Sequence, residues 1–144
     1  MSNPASVLII EDIAELADSL EDMLTLEGYR ALKAYNGRDG YELAVTEHPD
    51  LILLDLRLPD IHGFELLRKL RIDPWGATAR VLVLTASESP DLVLSENLGL
   101  EATDVLQKER WGIAHLADRI KSDLATTRQR APASPEPVPT NDAA

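Results

Sequence analysis

Three uninterrupted apolar runs, Val7-Leu8-Ile9-Ile10, Leu51-Ile52-Leu53-Leu54 and Val81-Leu82-Val83-Leu84, constrain this chain more than anything else in it. A strand with one wet face alternates apolar and polar residues. Four apolar residues in a row mark a strand covered on both faces. None of the runs approaches the roughly 20 residues a membrane-spanning helix needs. Two-sided burial requires helices above and below a parallel sheet, and the segments between the runs have helical spacing.

Ile13, Leu16, Leu20, Met23 and Leu24 recur at the period of a helix, which Gly28 stops. Residues 29–35 predict a weaker, more polar strand suited to an edge. Asn36-Gly37 is a turn signal, and the helix that follows carries Tyr41, Leu43, Ala44 and Val45 and ends before Pro49. Phe64, Leu67 and Leu70 mark a third helix that stops at Asp73-Pro74. Ser89-Pro90 predicts an N-cap with proline in the first helical position, for a helix reaching about Leu98. Asp104-Val105-Leu106 is a short fifth strand ending near Lys108, and Ile113, Leu116, Ala117, Ile120 and Leu124 form the stripe of a final helix. Strands alternating with helices of this length give right-handed βαβ units.

The pattern ends near residue 131. Residues 1–130 are expected to form one domain, and 131–144, with four prolines and almost no large apolar residue, a disordered tail. With no cysteine, disulfides and thiolate metal sites are excluded. The N-terminal residues lack the basic start of a secretory signal, so a soluble cytoplasmic protein without a membrane segment is expected. The net charge is −11; Glu136 and Asp142 of the tail supply −2, leaving −9 on the domain. Such a body repels phosphate backbones and argues against DNA or RNA binding.

In open parallel α/β sheets, sites form beyond the carboxyl ends of the strands. The first strand ends in Glu11-Asp12, the third in Asp55, the fourth in Thr85 and the fifth near Lys108. Each has an ordinary reading by itself: an acidic first helical turn, a cap, a strand terminator, a solvated lysine. Together they bring three carboxylates, a hydroxyl and an ammonium to one rim. Clustered carboxylates repel one another, which raises a pKa or demands a cation, and an all-oxygen set suits Mg2+. A phosphoryl group there would meet a metal, a hydroxyl and a positive charge, the parts phosphoryl transfer uses. A carboxylate can itself be the nucleophile and form an acyl phosphate.

At these residues the sequence resembles the receiver domain of bacterial response regulators. The matching segments are Val7 to Asp12, Asp50-Leu51-Ile52-Leu53-Leu54-Asp55-Leu56-Arg57-Leu58-Pro59-Asp60 with Gly63-Phe64-Glu65-Leu66-Leu67, Val83-Leu84-Thr85-Ala86, and Leu106-Gln107-Lys108. The resemblance covers about residues 5–125. It implies a flavodoxin-like (CheY-like) five-stranded parallel sheet in the order 2-1-3-4-5, doubly wound with helices on both faces. It implies Asp55 as phosphoacceptor. Glu11, Asp12, Asp55 and the backbone carbonyl of Arg57 would hold Mg2+, and Thr85 and Lys108 would meet phosphoryl oxygens. The donor would be a phosphohistidine on a sensor histidine kinase or phosphotransfer protein. The product would be a switch acting through a downstream protein target, as a stand-alone receiver, and compatible with a homodimer. The resemblance implies a signalling switch rather than an enzyme, one that would catalyse only its own phosphorylation and dephosphorylation.

The sequence departs from the family at Glu109, where proline usually follows the lysine, at Val105, where a switch aromatic is common, and at Arg80, where proline often opens the fourth strand. Valine has no ring to bury, so the signal is expected to leave Thr85 by another route, for example through the fourth helix directly. Arg57 and Ser87, two residues after the acceptor and after Thr85, occupy positions that tune acyl-phosphate lifetime in the family. An alternative is a receiver fold kept as a phosphorylation-independent docking module. A haloacid-dehalogenase-type phosphatase would need a second aspartate where Arg57 stands. Nucleotide binding would need a glycine-rich loop where Glu11-Asp12 stands.

Overall fold

The computed structural model describes residues 4–85, 104–107 and 113–130. The apolar runs form strands β1 (Ser6–Ile10), β3 (Leu51–Asp55) and β4 (Val81–Thr85), joined by β2 (Arg30–Ala34) and β5 (Asp104–Gln107). All neighbours pair parallel in the order β2-β1-β3-β4-β5, as expected. The predicted edge strand β2 is indeed an edge.

Side chains alternate across a strand, so each apolar run divides between two cores. Val7, Ile9, Leu51, Leu53, Leu82 and Leu84 pack with Ala17, Leu20 and Leu24 of α1 (Ala14–Leu26) and with Leu116, Ile120 and Leu124 of the C-terminal helix α4 (Ile113–Arg130). Leu8, Ile10, Ile52, Leu54, Val81 and Val83 pack with Ala44 of α2 (Gly37–Glu47) and with Phe64, Leu66, Leu67 and Leu70 of α3 (Gly63–Ile72). This division explains why the runs show no alternation.

The helix ends follow local chemistry. Past α1, Gly28 adopts φ +90°; its N–H donates to the Thr25 carbonyl, and the Tyr29 N–H to that of Leu24. These two bonds satisfy carbonyls the helix leaves open, with glycine in the left-handed position. Asn36, expected in a turn, instead caps α2: its Oδ1 accepts the Asp39 N–H at 2.8 Å. On the edge, Lys33 of β2 bridges Asp18 and Glu21 of α1, each at 2.8 Å. A charged edge discourages pairing with a second sheet. The helix predicted after Ser89-Pro90 and the tail lie outside the described residues.

Candidate functional site

Sheet register assembles the acidic cluster. Ile10 of β1 lies beside Leu54 of β3, so the next residues, Glu11 just past β1 and Asp55 at the end of β3, come side by side at the rim. The Glu11 N–H still donates to the Ala34 carbonyl of β2 at 3.0 Å, so the sheet holds the chain up to the acidic pair. Glu11 then turns the chain toward α1 by accepting the Ile13 N–H on Oε2 at 3.2 Å. Carboxylate oxygens of Glu11, Asp12 and Asp55 all lie within 4.8 Å of one another. Glu11 is 1% and Asp55 4% exposed, while Asp12 is exposed. Two buried carboxylates and one open to water form a hard, all-oxygen donor set that fits a small divalent cation keeping several waters.

Arg57 meets this cluster through its backbone. Its N–H donates to Asp55 Oδ1 at 3.2 Å, and its side chain is exposed. The loop from Leu56 to His62 is closed at its base by an Arg57–His62 bridge and by the Gly63 N–H donating to the Leu56 carbonyl at 2.9 Å. Gly63 opens α3 against the acceptor strand. A Cβ there would stand 2.7 Å from Leu56 Cα and 2.8 Å from the Asp55 carbonyl oxygen. Only glycine lets the helix start that close.

Thr85 ends β4, its backbone level with Gln107 of β5, and Asp55 is level with Leu84. The structure therefore brings together Glu11, Asp12, Asp55 and the Arg57 backbone, and ends β4 with Thr85 on the same rim. Val105 pairs with Val83 in the sheet. Lys108, Ser87 and Glu109 lie outside the described residues.

Three further features were not singled out from the sequence. His62 caps α3, its Nδ1 accepting the Phe64 N–H at 3.2 Å. Gly63 permits the close packing just described. Asp60, at the loop tip, accepts the Gly37 N–H at 2.8 Å and the Arg38 N–H at 3.0 Å from α2. The Gly37 N–H is the main reason the Asp60 carboxyl is held below its ordinary value, burial opposing it more weakly. Histidine is not among the usual N-cap residues, so this cap leaves no sequence signal. The Asp60 contact spans 23 residues and leaves no local signal.

Comparison with known proteins gives a consistent picture. The family described as "Response regulator receiver domain" matches residues 7–121. The response regulator ArlR of Staphylococcus aureus is 36% identical over 124 residues, covering 86% of this chain and 54% of its own. The chain thus spans about half the length of the curated relatives it matches. A CheY-like response regulator receiver domain protein from Methanospirillum hungatei superposes with a TM-score of 0.75 at 27% identity, covering 89% of this chain and 99% of that one. The signal receiver domain of a signal transduction histidine kinase from Syntrophus aciditrophicus gives 0.74 at 30% identity, over 85% and 91%. Among the described residues, no helix is long and apolar enough to cross a membrane.

Proposed function

The chain belongs to the response regulator receiver domain family, and on that premise we propose that it is a Mg2+-dependent switch which accepts a phosphoryl group on Asp55. The observation that carries the proposal is the convergence of Glu11, Asp12 and Asp55 oxygens within 4.8 Å at the carboxyl rim of the sheet. The donor set fits Mg2+, which Glu11, Asp12, Asp55 and the Arg57 carbonyl would hold. When bound, the ion supplies positive charge that offsets the clustered carboxylates and the incoming phosphoryl oxygens.

The protein's own groups do the rest. The Arg57 N–H holds Asp55 Oδ1 and fixes the carboxylate's rotation. Burial of Asp55 limits its hydration, so a positioned oxygen faces the donor with little solvent to displace. That oxygen attacks phosphorus. The new P–O bond forms as the P–N bond of a phosphohistidine breaks, and the imidazole departs and takes up a proton. The Thr85 hydroxyl and Lys108 ammonium are assigned to phosphoryl oxygens. The donor is a sensor histidine kinase or a phosphotransfer protein, and the readout is altered binding to a downstream protein or to a second copy of the chain.

Acetyl phosphate tests this without a kinase. Intact mass should rise by one phosphoryl group in wild type with Mg2+, and not in Asp55→Asn or with the metal chelated. Equal gain in Asp55→Asn would place the acceptor elsewhere.

A further inference from the structure

We propose that Asp60 is a positioning residue, which clasps the acceptor loop to the N-terminus of α2 and so fixes Arg57 against Asp55. The inference rests on the phosphoacceptor reading and assigns a role to a residue that reading does not use.

The first N–H groups of a helix have no partner within it. In α2, the cap residue Asn36 serves only Asp39 with its side chain, and the Gly40 N–H reaches the Asn36 carbonyl at 3.0 Å. The two donors between, Gly37 and Arg38, are met from another element: one Asp60 oxygen accepts each, at 2.8 and 3.0 Å. Both oxygens of a carboxylate are thus aimed at the positive end of a helix, where a negative charge is favoured.

Side-chain packing repeats the contact. A Cβ on Gly37 would fall on the Ile61 Cγ2 methyl, so the loop tip rests on bare helix backbone. The loop base is closed by the Arg57–His62 bridge and the Gly63 N–H bond to Leu56. The tip has the Asp60 clasp as its hydrogen-bonded anchor to α2. Freeing the tip lets the hairpin swing about its base, and Arg57 sits on that base with its N–H on Asp55 and its carbonyl assigned to the metal.

The test compares Asp60→Ala, Asp60→Asn, Gly37→Ala and Asn36→Ala by calorimetric titration with Mg2+. Hydrogen exchange of the Gly63 amide in metal-free protein is measured alongside. Outer partners of metal ligands cost about tenfold or more in affinity when removed. Asp60→Ala and Gly37→Ala should weaken Mg2+ binding about tenfold and speed Gly63 exchange. Asp60→Asn, which keeps one acceptor, should recover part of the loss. Asn36→Ala removes a cap of the same helix without touching the loop, and should leave Mg2+ affinity within about twofold of wild type. Unchanged affinity in Asp60→Ala, or an equal loss in Asn36→Ala, overturns the clasp. If wild type itself binds no Mg2+, the phosphoacceptor reading fails separately. The clasp is then decided by exchange alone: faster Gly63 exchange in Asp60→Ala supports it, and an unchanged rate refutes it.

Discussion

Replacing Gly63 by alanine should damage phosphorylation more than it damages the fold. The added Cβ would meet Leu56 Cα at 2.7 Å, the Asp55 carbonyl oxygen at 2.8 Å and Leu56 Cδ2 at 2.9 Å. Ordinary contact begins near 3.4 Å, so the backbones of α3 and the acceptor strand must part by about 3.4 − 2.7 = 0.7 Å. Two of the three atoms struck are main chain, which cannot rotate away. Overpacking of this kind costs about 1–3 kcal/mol. Gly63 does not have positive φ, so alanine also restricts the unfolded chain there and returns about 0.4–1 kcal/mol. The net loss is about 1–2 kcal/mol, or roughly 2–8 °C in Tm for a domain of this size. The same displacement acts on Asp55, where an error approaching 1 Å can cost about 100-fold in rate. At least a tenfold slower gain of phosphoryl mass from acetyl phosphate is expected, at a temperature where the variant is folded. Gly28→Ala is the control. Its φ of +90° makes alanine strained, yet open space surrounds it and it lies beyond the far end of α1. It should lose comparable stability and keep the wild-type rate. A wild-type rate in Gly63→Ala, or equal slowing in Gly28→Ala, would refute the reasoning.

Other consequences are open to direct measurement. Mg2+ at about 100 times its Kd should stabilise the protein by about 2.7 kcal/mol in thermal melts, with the effect lost in Asp12→Ala and Asp55→Asn; an equal upward shift in both variants would place the ion elsewhere. The Asp60 carboxyl is held below its ordinary value in the folded state, chiefly by the Gly37 N–H. Its contribution is therefore present above the unfolded value of about 4 and lost as pH falls through the folded one. The stability gap between wild type and Asp60→Asn should narrow below about pH 4, and a constant gap down to pH 2 would contradict that. Leu67→Ala, at 0% exposure between α3 and the sheet, should cost about 2–5 kcal/mol in urea unfolding. Arg57→Ala should change the decay rate of phosphorylated protein, since the exposed residue stands two after the acceptor and its backbone N–H holds Asp55 Oδ1; an identical decay would remove Arg57 from control of lifetime.

The fold was legible because its signals are local and repetitive. Runs such as Leu51-Ile52-Leu53-Leu54 announce two-sided burial, and helical stripes between them supply the covering layers. The acidic cluster was legible because parallel strands of similar length end together, so residues just past Ile10 and Leu54 must meet. The supports of the site were not. Asp60 reaches Gly37 and Arg38 across 23 and 22 residues, and nothing around Leu58-Pro59-Asp60 hints at that partner. Asn36-Gly37 looks like any turn until the loop tip is seen resting on it. Residue spacing reveals what shares a face, whereas contacts between two loops depend on tertiary placement that no period encodes.

The central claim, a phosphoryl group on Asp55, is tested most directly by trapping the acyl phosphate itself. Wild-type protein is treated with acetyl phosphate and Mg2+, reduced with borohydride, digested and mapped by peptide mass. Reduction converts a phosphorylated aspartate to homoserine at the modified position. The account predicts homoserine at residue 55, absent when Mg2+ is chelated. Homoserine at Asp12 or another carboxylate, or none anywhere in folded protein that a histidine kinase also fails to phosphorylate, would contradict it.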